Sequence, residues 1–194
     1  MRKIVAGLFI SLDGVVESPD KWHFPYFNDE MGEAVGTQMA ASDTMLLGRV
    51  TYQEFAGYWP HQSSADNEIA DYMNDTPKVV VSTTLKTLEW QNSTLIKDNV
   101  VEELTRLKQQ PGKNIGITGS ATLVRSLLRD DLLDELRLLV HPIVVGSGKR
   151  LFEHEGAQTP LKLVESKTFS TGVLYLTYQP AGQDGEGESS KEQP

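Results

Sequence analysis

The feature that most constrains the fold is a buried strand that runs into a helix through two small residues. Residues 114–118 form an apolar run typical of a strand covered on both faces. Gly119 and Ser120 interrupt it, and from Leu123 onward apolar residues recur at helical spacing. Ser120 suits an N-cap, and Gly119 permits both a tight turn and the close approach of a ligand. Because helix N-terminal amides attract anions, the segment predicts either an anion site or an ordinary strand-to-helix turn.

The same alternation of strands and helices extends along most of the chain. Apolar runs predict strands at four places: residues 3–12, 44–47, 78–81 and 114–118. Amphipathic runs predict helices at 29–41, 50–57, 67–73 and 99–109, and after Leu123. The last third instead predicts strands alone, at 132–145, 161–169 and 173–179. We therefore predict an α/β fold with a mixed, mostly parallel central sheet, helices on both faces and an antiparallel C-terminal edge.

Length and composition limit the classes of protein to consider. A chain of 194 residues suits one α/β domain, which we assign to residues 1–180. No apolar run approaches the ~20 residues that span a bilayer, and no small-residue cleavage site follows the first strand. The chain has no cysteine, which excludes disulfides and thiol nucleophiles. These features predict a cytoplasmic protein.

The charge is acidic, with a formal net value of −9. This balance disfavours nucleic acid or an anionic membrane as a partner. Residues 181–194 contain four acids, one lysine and no large apolar residue, so we predict a disordered acidic tail there. The four histidines have no metal-ligand spacing, so no metal site is predicted, and His141 is expected to be a packed residue in an apolar strand.

Three loops at the ends of predicted parallel strands contain the residues that a phosphorylated ligand requires. They comprise residues 48–51, 82–84 and 118–121, and ligands of open α/β sheets bind beyond the carboxyl ends of the strands. The loops supply small residues, hydroxyls, helix N-terminal amides and one cation, Arg49. Each loop alone also fits an ordinary turn, and Arg49 alone fits a solvated side chain. Together they predict a nucleotide site.

The ordered set of motifs resembles dihydrofolate reductases and the reductase domain of riboflavin biosynthesis. Residues 46–53 resemble the Gly-Arg-x-Thr segment, 81–83 the hydroxyl-rich strand end, and 117–123 the glycine-rich turn into a helix. The segments 11–14 and 140–152 resemble the riboflavin reductase more closely. The resemblance covers roughly residues 3 to 179. It implies a dihydrofolate-reductase-like fold, NADPH as cofactor and pairing of two chains through the C-terminal strands.

The resemblance also assigns residues to the cofactor. Ser11 and Leu12, near Phe9, are implied to line the nicotinamide. The remaining implied cofactor residues follow the other strands: Gly48, Arg49, Thr51, Ser82, Thr83, Gly119, Ser120, Ala121, Thr122 and Leu123. Among them, Arg49, Ser82 and Thr83 are implied to meet the adenosine phosphate, and the glycine-rich turn the pyrophosphate.

The substrate side departs from dihydrofolate reductases. Trp22 and Pro25 match their Trp-x-x-Pro motif, but Phe27 stands where an acidic residue pairs with the pterin. Phenylalanine accepts no hydrogen bond, so dihydrofolate is not expected as substrate unless a shifted register brings in Asp29. Trp22, His23 and Phe27 are predicted to face the substrate.

Asp13 is the acid nearest the implied nicotinamide position. It has two readings: a catalytic group that orients substrate or relays a proton, and an Asx-type turn residue before Gly14.

These observations lead to one main hypothesis and two alternatives. The main hypothesis is an NADPH-dependent reductase that transfers hydride to a small organic molecule. The alternatives are a non-catalytic nucleotide-binding module and a structural dimer without a ligand. A homodimer is predicted because residues 132–145 form a long apolar strand which, at a sheet edge, needs a cover. The later strands would remove that need if they covered it within the chain.

Overall fold

The computed structural model describes residues 1–65, 67–152 and 158–182. Eight strands form one sheet: β1 (Ile4–Ser11), β2 (Ser42–Gly48), β3 (Lys78–Val81), β4 (Ser93–Ile96), β5 (Asn114–Thr118), β6 (Glu135–His141), β7 (Leu161–Thr168) and β8 (Leu174–Pro180). Five helices connect or flank them: α1 (Asp29–Ala40), α2 (Arg49–Tyr58), α3 (Ala70–Asp75), α4 (Val100–Gln109) and α5 (Ala121–Arg129).

The sheet order is β4-β3-β2-β5-β1-β6-β8-β7. The six strands from β4 to β6 pair in parallel, whereas β8 pairs antiparallel with both β6 and β7. The carboxyl ends of the six parallel strands therefore meet along one edge of the sheet. The predicted mixed, mostly parallel sheet with an antiparallel C-terminal edge is confirmed.

Helices cover both faces of this sheet. On one face, alternate residues of β1 (Ile4, Ala6, Leu8 and Ile10) pack with apolar residues of α4 and α5. On the other face, Met31 of α1 packs against Leu139 of β6, and α2 and α3 cover β2 and β3. Side chains alternate across a strand, so each strand of the centre contributes to two cores.

The structure differs from the sequence expectation in two elements. β4 was not predicted; it is four residues long and lies at one edge of the sheet. The predicted strand 132–145 is shorter, Glu135–His141, and is internal, because β8 and β7 lie outside it. The edge argument for a dimer was therefore wrong for this strand, and the C-terminal edge of the sheet is β7.

No helix of the described ranges is long and apolar enough to cross a membrane. The predicted acidic tail lies outside the described residues from position 183 onward.

Candidate functional site

The turn between β5 and α5 has the backbone of a tight, ligand-facing junction. Gly119 has φ +63°, and Ser120 follows at φ +52° in the left-handed region. Ser120 occupies the N-cap position as predicted, but its side chain makes no capping hydrogen bond. Instead its Oγ accepts from the backbone N–H of Gly48 at 3.0 Å. The expected cap chemistry is replaced by a bond to a neighbouring strand end.

A second pair of hydrogen bonds joins this turn to α2. The backbone N–H and the Oγ of Ser120 each donate to Oγ1 of Thr51, both at 3.0 Å. A Cβ on Gly119 would lie 3.1 Å from Oγ1 and Cγ2 of Thr51, tighter than an ordinary contact. The N-terminal turns of α2 and α5 are thus held side by side. Amides of a first helical turn have no partner within the helix, so both ends present donors to the same crevice.

The first turn of α5 completes one wall of this crevice. Ala121 and Leu123 are buried, and Thr122 is exposed. Gly48 lies close to the same wall, since a Cβ there would lie 3.9 Å from the Cβ of Leu123. These residues leave their backbone, rather than long side chains, at the carboxyl ends of β2 and β5.

Arg49, the predicted cation, is the first residue of α2 and is exposed. Its Nη1 donates to Oε1 of Gln53 at 2.9 Å, one turn along the helix. The guanidinium therefore lies at the rim of the crevice in contact with solvent. Its role toward an adenosine phosphate stays a prediction.

The loop after β3 uses much of its hydroxyl chemistry internally. The Oγ of buried Ser82 accepts from the backbone N–H groups of Thr84 and Leu85, at 3.2 and 3.1 Å. Thr83 is exposed. Ser82 therefore shapes its own turn, a contact pattern typical of serine at strand ends, and the phosphate contacts implied for Ser82 and Thr83 stay predictions.

The end of β1 lies beside this crevice and is fastened to the loop after β6. The backbone N–H of exposed Leu12 donates to the carbonyl of Ile143 at 2.8 Å. Ser11 is buried, and its Oγ accepts from the backbone N–H of Val15 at 2.9 Å. The backbone implied to line the nicotinamide is therefore rigidly held.

Asp13 makes most of its contacts within the chain. Its Oδ1 accepts from Ser11 Oγ at 2.7 Å and from Val145 N–H at 3.0 Å, and its Oδ2 accepts from Gly146 N–H at 2.9 Å. Arg150 Nη2 lies 3.5 Å from Oδ2, and Arg150 Nε donates to the Asp13 carbonyl at 2.9 Å. The carboxylate thus joins the end of β1 to residues 145–150.

These contacts bear on the chemistry of Asp13. The hydrogen bond from Ser11, followed by that from Val145, holds the pKa of the carboxyl well below its usual range. An acid that stays ionised cannot donate a proton near neutral pH. The catalytic role suggested for Asp13 stays a prediction, and its contacts favour the alternative reading as a structural turn residue. Sequence reasoning missed the partners because they lie more than 130 positions along the chain.

The residues predicted to face substrate gather on the α1 side of the sheet. Trp22 and His23 are buried, and Phe27 is half-exposed. His23 stacks on Phe9 of β1, with ring centroids 4.6 Å apart, and the ring of Trp22 meets His141 edge-on at 5.2 Å. His141 is fully buried, as predicted. The aromatic loop therefore lies against the carboxyl ends of β1 and β6, next to the crevice.

The acids that follow Phe27 differ in their surroundings. Asn28 accepts from Met31 N–H at 3.0 Å and caps α1, which places Phe27 just outside the helix. In the first turn, Oε2 of Glu30 accepts from the backbone N–H and Oγ of Ser170, at 2.7 and 2.6 Å. Asp29 is exposed. The Glu30 carboxylate, whose pKa those bonds from Ser170 lower, is thus engaged with the β7–β8 turn.

Within the described ranges, no group of three His, Cys, Asp or Glu side chains could hold a metal ion.

The fold and this crevice define the class of protein: a three-layer α/β protein with a ligand site at the carboxyl ends of its parallel strands. The model of the RibD C-terminal domain family matches residues 2–175, and the chain belongs to that family.

One relative and two solved structures illustrate the similarity. The uncharacterized protein YyaP of Bacillus subtilis (strain 168) is 33% identical over 180 residues, covering 91% of this chain and 94% of its own. A Shewanella sp. PV-4 protein, assigned by its name to riboflavin biosynthesis, superposes with a TM-score of 0.74 at 19% identity, covering 92% and 99%. Dihydrofolate reductase of Enterococcus faecalis, solved with NADP(H), superposes with a TM-score of 0.60 at 14% identity, covering 92% and 96%. These similarities confirm the dihydrofolate-reductase-like fold.

Proposed function

We propose that this protein is an NADPH-dependent reductase that transfers hydride to a small organic substrate. The observation that carries the proposal is the pairing of two helix N-termini, α2 and α5, through Ser120, Thr51 and Gly48. Two such ends beside each other suit a pyrophosphate, because their amides and dipoles both favour negative charge. Membership of the RibD C-terminal domain family supports a reductase.

The residues present fit a dinucleotide. Gly119 has a conformation that L side chains rarely adopt and a Cβ position already occupied by Thr51, so backbone alone borders the crevice there. The overall charge is −9, so a phosphate must be held by such local donors together with Arg49. When bound, NADPH supplies the hydride. The chain's contribution is to orient the two reactants: β1 places Ser11 and Leu12 between the crevice and the aromatic loop.

Dihydrofolate is not the substrate we propose. Phe27 lies before the helix, and Glu30 is engaged by Ser170, which leaves exposed Asp29 as the remaining acid of that turn. A pterin bound beside Phe27 would lack the carboxylate that supports its protonation. We also propose that the protein acts in the cytoplasm, from its composition, and as a homodimer.

The proposal is tested by calorimetry with the two nicotinamide cofactors. We expect NADPH to bind more tightly than NADH, because Arg49 would make charge-assisted bonds to the 2′-phosphate. Arg49→Ala should weaken NADPH binding by about 1.5–3 kcal/mol and NADH binding much less. The matched control is Arg129→Ala, an exposed arginine at the far end of α5. Equal losses for the two cofactors in Arg49→Ala would contradict the assignment.

The non-catalytic nucleotide-binding module remains the second candidate, and the contacts of Asp13 favour it. A carboxylate held by Ser11, two backbone amides and Arg150 is poorly suited to proton transfer. The two candidates are separated by mixing the NADPH complex with panels of carbonyl and heteroaromatic compounds. Oxidation of NADPH by any of them supports a reductase, and tight binding without oxidation supports the module.

A further inference from the structure

Two buried histidines next to the crevice have ring nitrogens without partners. His141 is 0% exposed and His23 is 7% exposed. Nδ1 of His141 lies 2.8 Å from the carbonyl of Leu139, and since a carbonyl only accepts, Nδ1 carries the hydrogen. Its Nε2 is then a bare acceptor. Among the described residues, neither that Nε2 nor Nδ1 of His23 has a hydrogen-bond partner.

The surroundings of these imidazoles are aromatic and carry little charge. Rings of Phe9, Trp22 and Tyr26 lie 5.2–5.7 Å from the ring of His141. Burial, with a smaller effect from His141, lowers the pKa of His23, and Asp20 opposes that shift. Burial also lowers the pKa of His141, while hydrogen bonds to the backbone of Leu139 and Ile10 oppose it. Both rings are therefore neutral at physiological pH.

The solvent side of His23 is formed by two exposed phenylalanines. The ring of Phe24 lies 4.2 Å from that of His23, and the ring of Phe27 lies 6.1 Å away, edge-on. Phe24 is 64% exposed and Phe27 is 50% exposed. Adjacent exposed aromatic rings mark sites that bind an apolar partner. We name His23, Phe24 and Phe27 the aromatic platform.

We propose that the aromatic platform binds an uncharged, flat, heteroaromatic or quinone-like ring, which is the hydride acceptor of the proposed reductase. Such a ring gains offset or edge-on contacts with both phenylalanines. Its polar edge supplies the hydrogen-bond partner that the His23 imidazole lacks, once the exposed Phe24 ring rotates aside. The site lies against Phe9 and β1, which places the ring beside the position implied for the nicotinamide.

Selection for an uncharged ring follows from the groups around the platform. The nearby acids are occupied: Asp13 by Arg150 and backbone amides, and Glu30 by Ser170. Neutral imidazoles and hydrocarbon rings offer no countercharge to an anion or a cation. Because placing an unpaired charge against such a surface costs free energy, the neutral member of any matched series binds best.

The test uses three probes of one shape without cofactor: isoquinoline, N-methylisoquinolinium and isoquinoline-5-sulfonate. At about pH 7.5 the first is neutral, the second a cation and the third an anion. The chain has 4 histidines, so proton NMR of the imidazole Cε1–H groups resolves each of them. We expect isoquinoline to shift the His23 signal saturably and the charged probes to bind roughly tenfold or more weakly. Equal binding of a charged probe, or no shift of His23, would overturn the proposal.

Variants locate the binding surface. Phe24→Ala and Phe27→Ala should each weaken isoquinoline binding roughly tenfold, and Phe24→Leu should do so while keeping an apolar side chain. Tyr58→Ala is the matched control, because Tyr58 is 49% exposed at the C-terminal end of α2, on the opposite edge of the sheet. A loss in the control as large as that in the platform variants would place the probe elsewhere.

The proposal rests on the proposed function only in naming the ring as hydride acceptor. Cofactor calorimetry separates the two. Saturable isoquinoline binding by a protein that binds no NADPH would overturn the reductase and keep the platform as a ligand site. NADPH binding without any probe at His23 would overturn the platform alone.

Discussion

At the scale of single residues, Gly119 is the position that most strictly requires its residue type. Its φ of +63° and the 3.1 Å approach to Thr51 both oppose a side chain. We expect Gly119→Ala to lower the free energy of unfolding by about 1–2 kcal/mol, the cost of placing an L residue in the left-handed region. Denaturant titration measures the change, and NADPH calorimetry on the same variant reports on the crevice.

A matched control for this glycine lies in α1. A Cβ on Gly36 would meet no atom within 4 Å, and the residue is helical. Gly36→Ala should therefore raise the free energy of unfolding by roughly 0.5–1 kcal/mol through helix propensity. If the two substitutions changed stability alike, the special conformation of Gly119 would have no energetic consequence.

His23 and His141 make stability dependent on pH. Both pKa values are lowered in the folded protein from the usual 6.5, mainly by burial. Below that value the unfolded chain binds protons that the folded protein excludes, so stability present above pH 6.5 is lost as the pH falls. We expect the free energy of unfolding, measured by urea titration, to decline between pH 6.5 and about pH 4.5, before most carboxylates titrate.

Replacement of the buried ring tests this origin. His141→Phe keeps an aromatic ring among Phe9, Trp22 and Tyr26 but cannot bind a proton. The slope of stability against pH should become shallower in this variant. An unchanged slope would assign the acid sensitivity to other groups.

At the scale of elements, the hydrogen bonds between α2 and the β5–α5 turn fix the geometry of the crevice. Thr51 is 8% exposed and its Oγ1 accepts two bonds from Ser120. Thr51→Val removes that acceptor without changing the shape of the side chain. We expect a loss of about 1–3 kcal/mol in the free energy of unfolding, because the Ser120 N–H is left without its partner. NADPH binding should weaken in parallel.

Thr51→Ser provides the control for that substitution. Serine keeps the hydroxyl acceptor and removes only a methyl group, so cofactor affinity should stay close to that of the parent protein. Should the valine variant bind NADPH as tightly as the serine variant, the alignment of the two helix ends would be irrelevant to the cofactor.

Sequence periodicity predicted most elements because most are long and apolar. β4 escaped because it has four residues and begins with Ser93 and Thr94, which resemble a turn. Loops 48–51 and 118–121 were predicted to follow parallel strands, and the structure joins them through Ser120. The left-handed backbone of Ser120 and the contacts of Asp13 with residues 145–150 were not predictable, since both depend on partners distant along the chain.

At the scale of the whole molecule, the exposed edge of the sheet is β7. Its side chains are largely exposed, and Leu163 and Val164 are 48% and 45% exposed. An uncovered apolar edge strand readily pairs with another chain, and a two-fold partner is the commonest cover. We therefore predict a homodimer through β7, measured by light scattering at micromolar concentration. A mass near 21.5 kDa, that of one chain, would contradict it.

Charge on the edge strand tests the same interface. Val164→Lys should shift the protein toward the single-chain mass, since a lysine on an edge strand opposes pairing. Val101→Lys is the control, because Val101 is 48% exposed on α4, away from that edge. Dissociation in the control alone would place the interface on the helical layer.

The central position of β1 has a consequence for how the chain is made. β1 is synthesised first, yet its neighbours in the sheet are β5 and β6, which begin at residues 114 and 135. Until those segments leave the ribosome, an eight-residue apolar strand has neither of its partners. Such late, long-range pairing is slow and exposes strand edges to aggregation. Nascent chains and fragments that end before β6 should therefore depend on chaperones far more than the finished protein does.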